Sequence, residues 1–308
     1  MKELLVQMYH YVRDRFETNS GIRGLTAEEL EQQIRHLGEG FEFIGPEDII
    51  NYFTGERRRL PDRACLLTFD DGLKDHFKFV YPILKKYRIS GIFFLITETF
   101  MEGSVSTVHK IHLLREKLGT DEFTNLVLGN LKEKYSFKDG FKFLETDASD
   151  NYRWDDKKIA ALKKLLNYKL PYKILEPLIG EIFNRCFDSS IAKEFYLTKE
   201  EILEMDNGGM VMGSHTHTHR VLSRLNGSEL EGEIRDSKRY IEELTGRRFI
   251  PFSFPYGKPE VYNSKVLSLI RECSYPCAFT TVVGVNRGRI NPYTIKRIDP
   301  KDIYRDME

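Results

Sequence analysis

Cysteine is scarce in this sequence of 308 residues: Cys65, Cys186, Cys273 and Cys277 are the four, and no two form a Cys-x-x-Cys pair. That excludes a disulfide-stapled framework and a paired-thiolate metal site. The four read as free thiols of a reducing compartment. Net charge is lacking too. Lys plus Arg and Asp plus Glu each number 47, so no basic field exists to attract nucleic acid or an anionic membrane. No stretch approaches the ~18 apolar residues of a membrane span. Residues 1–10 carry no long apolar core and no small-residue cleavage site, so the expected location is the cytoplasm. Internal repeats and low-complexity segments are absent, and histidine does not recur after His219.

What is present centres on Thr68-Phe69-Asp70-Asp71-Gly72. It follows the apolar run Ala64-Cys65-Leu66-Leu67, which reads as a buried strand, so two adjacent carboxylates sit where a strand gives way to a turn. Successive side chains of a strand face opposite ways, and Gly72 lets the chain turn at little steric cost. Two carboxylates in separate environments suit separate jobs, one holding a cation and one moving a proton. A turn with two solvated Asp residues is the plain alternative.

Gly213-Ser214-His215-Thr216-His217-Thr218-His219 carries three of the eight histidines. The apolar run Met210-Val211-Met212 precedes it, so this too is a strand end. His215 and His219 are four apart, and one helical turn would put both on one face with His217 facing elsewhere. Two imidazoles and one carboxylate make a ligand set for a single divalent metal. A polar surface turn rich in His and Thr is the alternative.

Thr-Phe-Asp-Asp-Gly followed by Ser-His-Thr-x-x-x-His resembles the polysaccharide deacetylase family, the NodB-homology carbohydrate esterases (family 4). The resemblance implies a distorted (β/α) barrel and a metal-dependent hydrolase that removes N-acetyl or O-acetyl groups from a sugar or polysaccharide precursor. It implies Asp70 as general base, with Asp71, His215 and His219 as metal ligands. The family's third motif, an Arg followed by Pro, an aromatic and Gly, reads here Phe252-Ser253-Phe254-Pro255-Tyr256-Gly257, with Ser253 about where the Arg is expected. By the same resemblance the Tyr256 backbone N–H faces the oxyanion. Pro255, Gly257, His76 and Arg297 are placed in the substrate or supporting shell. The family's late His, a general acid, is absent. One branch, resembling the biofilm poly-N-acetylglucosamine deacetylases, begins instead with a strand ending in Tyr-His. This chain has Tyr9-His10, which makes His10 the candidate acid, hydrogen-bonded to a nearby carboxylate; His76, five residues past the Asp-Asp turn and able to reach the rim, is the other candidate. A strand-end His bonded to a neighbouring carbonyl is the alternative. The implied cofactor is one divalent ion, zinc by default, with nickel, cobalt, iron or manganese also admitted. The implied partner is an N-acetylated sugar or oligosaccharide; the oligomeric state is not readable.

Strands are expected at residues 4–10, 64–67, 91–96, 210–212, 252–254, 277–280 and 294–298. Helices open at the capping boxes Thr26-Ala27-Glu28-Glu29, Thr198-Lys199-Glu200-Glu201 and Ser228-Glu229-Leu230-Glu231. Further helices are expected at 47–52 and 82–87. Strand–helix alternation argues for α/β architecture and, at this length, one barrel over residues 1–308. From about 97 to 195 only charged helical segments occur, at 108–117, 121–133, 155–166 and 172–185, with a loop at 147–151. That stretch reads as a helical insertion on the barrel. Its His109 and His112 read as an exposed or capped pair rather than a second metal site. A lid over the sugar site is the sharper alternative.

Other classes stay open at this point. A facial-triad iron oxygenase uses two His and one carboxylate but does not need Asp70. A catalytically impaired carbohydrate-binding relative, or a hydrolase of a small cyclic amide, also fits the motifs.

Overall fold

The structure is a computed structural model that describes residues 2–15, 22, 24–135, 157–188 and 190–302. Strands β1 (Glu3–Tyr9), β5 (Arg63–Phe69), β6 (Gly91–Leu95), β7 (Val211–Ser214), β8 (Phe252–Ser253), β9 (Ala278–Val283) and β10 (Ile295–Arg297) lie side by side in that order, all parallel. Beyond β10, Ile298 meets β1: Met8 N–H donates to the Ile298 carbonyl at 3.0 Å, and Ile298 N–H to the Val6 carbonyl at 2.9 Å. The result is a nearly closed (β/α) barrel, as the residue pattern implies.

Three short strands were not legible. β2 (Val12–Arg13) pairs with β3 (Leu25–Thr26), and β4 (Glu42–Phe43) runs along the lower half of β5 at Ala64 and Cys65. Because β6 joins β5 only from Leu67, β4 fills the ladder below it. Two-residue strands carry too little pattern to be read from a sequence.

The barrel strands are apolar because both their faces are covered. From Ala64 to Phe69, β5 is buried at every position. Tyr9, Phe69 and Phe93 stack in series beneath the mouth, with centroid spacings of 5.2 and 4.7 Å. Each fully buried Phe contributes about 1.5–3 kcal/mol.

Helix α1 (Ala27–Gly40) starts at Thr26, whose hydroxyl accepts from Glu29 N–H while the Glu29 carboxylate accepts from Thr26 N–H. Helix α2 (Pro46–Thr54) brackets the expected 47–52. The expected helix 82–87 is preceded by a wider π turn, His76–Val80, before α3 (Tyr81–Tyr87).

The described residues cluster into two compact units. The first holds every strand and also α4 (Thr97–Met101), which the sequence places at the start of the insertion. The second is built mainly from Val105–Ile191. It comprises α5 (Thr107–Leu118), α6 (Thr120–Tyr135) and the helices Lys157–Lys164 and Tyr172–Cys186 around a core of its own that includes Leu114, Phe123, Val127, Leu166 and Ile179. The expected loop at 147–151 lies outside the described residues. His109, expected at the surface or in a cap, is fully buried, with its ring 5.6 Å from that of His112. Among the described residues no helix is long and apolar enough to cross a membrane.

Candidate active site

Each chemical residue sits just past the carboxyl end of a barrel strand, the end where such folds place their chemistry. Asp70 extends β5 by one ladder bond, its N–H donating to the Tyr9 carbonyl at 2.8 Å. The chain then turns through two left-handed residues, Asp71 at φ 82° and Gly72 at φ 65°. That turn separates the two carboxylates. Asp70 faces Arg297 of β10, and Asp71 faces His215 and His219 past the end of β7.

Asp70 is 1 % exposed and gripped by Arg297 of β10. Nη1 donates to Oδ1 and Nη2 to Oδ2, both at 2.7 Å, in a bidentate fork. The guanidinium is itself held by the Thr280 carbonyl at 2.8 Å, Ser253 Oγ at 3.0 Å and Thr68 Oγ1 at 3.3 Å. Ser253 therefore does not leave Asp70 without a cation. The arginine that the third motif lacks is delivered from β10, two strands further round the barrel, and Ser253 lies beside it with its hydroxyl 3.0 Å from the guanidinium. Burial alone would raise the Asp70 carboxyl; the Arg297 guanidinium outweighs it and holds the group below the ordinary carboxylate range.

His215 and His219 converge without a helix, contrary to the expectation from their spacing. After β7 the chain is irregular, and Thr216 at φ 66° and His219 at φ 63° bend it back on itself. Glu233, buried on a neighbouring helical turn, pins that bend. Its carboxylate accepts from His217 N–H at 2.9 Å, from Thr218 N–H at 2.8 Å, and from the Thr218 hydroxyl. Periodicity could not foresee a loop built on left-handed residues.

His215 Nε2 lies 3.4 Å and His219 Nε2 3.7 Å from Asp71 Oδ1, and the three ligand atoms all fall within 4.8 Å of one another. Ligands about 2.1 Å from a tetrahedral ion stand roughly 3.4 Å apart, so the donor set fits one zinc-sized divalent cation. His215 Nδ1 is 2.9 Å from the Ser253 carbonyl, which can only accept. The proton therefore sits on Nδ1, and the Nε2 lone pair is left for a metal. Burial pushes the His215 pKa down in spite of Asp70 and Asp71, which keeps the ring neutral as a ligand must be. Among the described residues this is the one His, Cys, Asp and Glu grouping of metal-binding spacing.

His217 points elsewhere: Nδ1 is 2.9 Å from Thr97 Oγ1 and Nε2 3.3 Å from Glu102. Past β8, Tyr256 at φ 62° and Gly257 at φ 58° form a left-handed pair beside buried Pro255. A Cβ on Gly257 would stand 2.4 Å from Thr281 N, so the motif requires glycine there. Thr281 Oγ1 donates to the Tyr256 carbonyl at 2.7 Å, which fixes that peptide, and the Tyr256 ring meets His219 edge-on at 5.0 Å.

His10 follows β1 directly at the mouth, its side chain 39 % exposed and its Nε2 3.9 Å from Asp70 Oδ2. That is longer than a hydrogen bond, so the direct bond to a carboxylate expected for this ring is not formed. His76, expected to reach the rim, is instead fully buried, with Nε2 2.9 Å from the His10 carbonyl.

Fold and site together define a parallel barrel whose mouth pairs a buried, arginine-clamped carboxylate with an Asp-His-His cluster. A sequence profile described as polysaccharide deacetylase matches residues 57–116 and 159–278, more than half of the chain. The chain belongs to the polysaccharide deacetylase family, which indicates a carbohydrate deacetylase. The polysaccharide deacetylase homologue YxkH of Bacillus subtilis (strain 168) is 20% identical over 298 residues, covering 96% of this chain and 71% of that one. Among solved structures, the deacetylase PplD of Streptococcus pyogenes, in complex with acetate, aligns with TM-score 0.62 at 19% identity over 99% of this chain and 98% of that one. IcaB from Ammonifex degensii aligns with TM-score 0.58 at 19% identity over 98% and 94%. At these identities the solved structures speak for the fold.

Proposed function

We propose that this protein is a divalent-metal-dependent hydrolase that removes N-acetyl groups from a sugar, oligosaccharide or polysaccharide precursor. The observation that carries the reading is the juxtaposition of the Asp71, His215 and His219 ligand atoms, within 4.8 Å of one another, with the clamped Asp70. PplD, a deacetylase of the same fold, is in complex with acetate, the product that this reading requires.

Asp71, His215 and His219 hold the ion, with zinc the default for this donor set. When bound, the ion supplies a lowered pKa for water and polarisation of the acyl carbonyl. Asp70, kept ionised and aimed by Arg297, accepts the proton that water gives up. The Tyr256 N–H, on the peptide next to the one that Thr281 holds through the Tyr256 carbonyl, donates to the oxygen on which negative charge develops. His10 gives a proton to the departing nitrogen, without which an amine is a poor leaving group. Pro255 and Gly257 shape the wall beside Tyr256. The reading as an impaired binding relative loses one of its two grounds, because Arg297 supplies the cation that Ser253 lacks. Removal of an O-acetyl group would need the same Asp70, Tyr256 and ligand set but would lean less on the acid, because an alkoxide leaves more readily than an amide anion.

The test is acetate release from N-acetylglucosamine oligomers before and after chelation. Release should vanish with the metal and return with added zinc. Undiminished release by protein shown to hold no metal would sink the proposal.

A further inference from the structure

Past Tyr9 the chain leaves the β5 ladder. The final ladder bond is Asp70 N–H to the Tyr9 carbonyl, and β1 ends there. The next carbonyl, that of His10, is met by a side chain instead: His76 Nε2 lies 2.9 Å away. A carbonyl only accepts, so this nitrogen carries the proton. The His76 ring is fully buried, edge-on to Phe69 at 5.7 Å and tilted against Phe93 at 5.6 Å. Burial pushes its pKa down against the opposing pull of the His10 carbonyl, Asp75 and Asp71, so the ring is neutral. The other nitrogen, Nδ1, is buried with no hydrogen-bond partner among the described residues. A phenylalanine would fill this aromatic slot without that penalty. The turn that presents the ring, His76–Val80, is π-wound, a rare winding that concentrates at functional sites.

We propose that His76 is a positioning residue for the general acid. Its Nε2–H fixes the main chain at His10, so that the His10 imidazole hangs beside Asp70, Nε2 3.9 Å from Oδ2. The proposal rests on the reading of His10 as the acid. In that step the amide C–N bond breaks and its electron pair goes to nitrogen. Water supplies the new C–O bond, Asp70 takes its proton, and the His10 ring proton goes to the nitrogen. A free amine and acetic acid result, and the acid ionises to acetate on release. His76 transfers no proton; it holds the donor in place.

A ring that merely filled space would, on removal, weaken every activity alike. The experiment separates the two with full-length His76→Phe and His76→Gln, assayed on an N-acetylglucosamine pentamer and on 4-nitrophenyl acetate, whose leaving group needs no proton. His76→Phe should lose on the order of 10²-fold in kcat on the pentamer, the scale of a misplaced catalytic group, with KM and metal content unchanged. The ester rate should hardly move. His76→Gln, whose amide N–H reaches the same carbonyl, should recover most of the pentamer rate. Equal losses on both substrates, or no loss at all, overturn the proposal. His10→Ala is run alongside. If it too shows a pentamer-selective loss while His76→Phe does not, the positioning role alone falls. If His10→Ala shows none, the acid assignment falls and takes this proposal with it. Should His76→Phe fail to fold, His76→Asn, whose amide stops short of the carbonyl, replaces it against His76→Gln with the same criteria.

Discussion

The Asp70 carboxylate divides the mouth into two unlike halves. On the β10 side it meets a guanidinium that is 0 % exposed and held by Thr280, Ser253 and Thr68 as well as by Asp70 itself. On the β1 side it meets His10, 39 % exposed, 3.9 Å away, with its main chain held by the His76 imidazole. The difference suits the roles proposed for the two halves, Asp70 as base and His10 as acid. A base must stay ionised and keep one direction, which a closed hydrogen-bond network gives. An acid must meet a leaving group that arrives from solvent, so its tip has to stay open while its backbone is fixed. One half is rigid to the ends of its side chains, the other only to its main chain.

The first way to break this contrast is to open the rigid half. Arg297→Met removes the cation and leaves Asp70 buried without its partner, a change that costs about 3–5 kcal/mol when one member of a buried pair is lost. Thermal or denaturant unfolding should show it, together with loss of acetate release. The double variant Arg297→Met/Asp70→Asn should regain stability but not activity. A single variant as stable as the parent would mean that the fork contributes nothing.

The second removes the open half. His10→Ala should keep its metal and most of its stability, because the side chain is partly exposed, yet lose on the order of 10²–10⁴ in kcat on amides. An activated ester should be spared. The two variants therefore differ in kind: Arg297 fails in both stability and turnover, His10 in turnover alone. Full amide activity in His10→Ala would remove the acid from this half altogether.

A third sharpens the view of the metal loop. Glu233 acts on the loop between His215 and His219, accepting from His217 N–H, Thr218 N–H and the Thr218 hydroxyl. Glu233→Gln should lower metal affinity by about 10–100-fold, the usual effect of losing an outer partner, with turnover normal once metal is saturating. A metal titration measures this. Unchanged affinity would show that the left-handed bends hold without the carboxylate.

These contrasts also mark how far the sequence could be read. The strand ends were legible because apolar runs stop at short polar motifs, and the barrel because such runs alternate with capped helices. The Arg297 clamp was not, since the fork joins residues 227 apart and Ser253 at the usual arginine position pointed away from it. Arg297 could be assigned to the site, but not to its role. Glu233 was hidden for another reason: it lies next to Ile234 in a helix whose evident pattern is its apolar face. The His215–His219 convergence was anticipated by the wrong route, because four-residue spacing suggests a helix and positive φ at Thr216 and His219 leaves no trace in periodicity. His76 looked like a rim residue by its distance from the Asp-Asp turn; the π turn that carries it inward cannot be told from an α turn by composition.

The smallest expected effect belongs to His217. It stands midway between two of the ligand residues in the sequence, and a third imidazole so near would be an obvious alternative ligand. Its ring, however, faces α4, with Nδ1 at Thr97 Oγ1 and Nε2 at Glu102, and its face packs 5.5 Å from the Tyr240 ring. The contribution of His217 to the loop runs through its main chain, where N–H donates to Glu233 and the carbonyl accepts from Glu98 N–H at 3.0 Å. Alanine keeps both. His217→Ala should therefore retain its metal and nearly all its turnover, and its stability should fall by no more than about 1 kcal/mol, the net worth of a partly exposed hydrogen bond. His219→Ala, two residues away, should lose the metal and with it acetate release. Metal analysis of the two variants side by side decides the matter: equal loss in both would mean that the loop, rather than the Asp71-His215-His219 set, is what the ion requires.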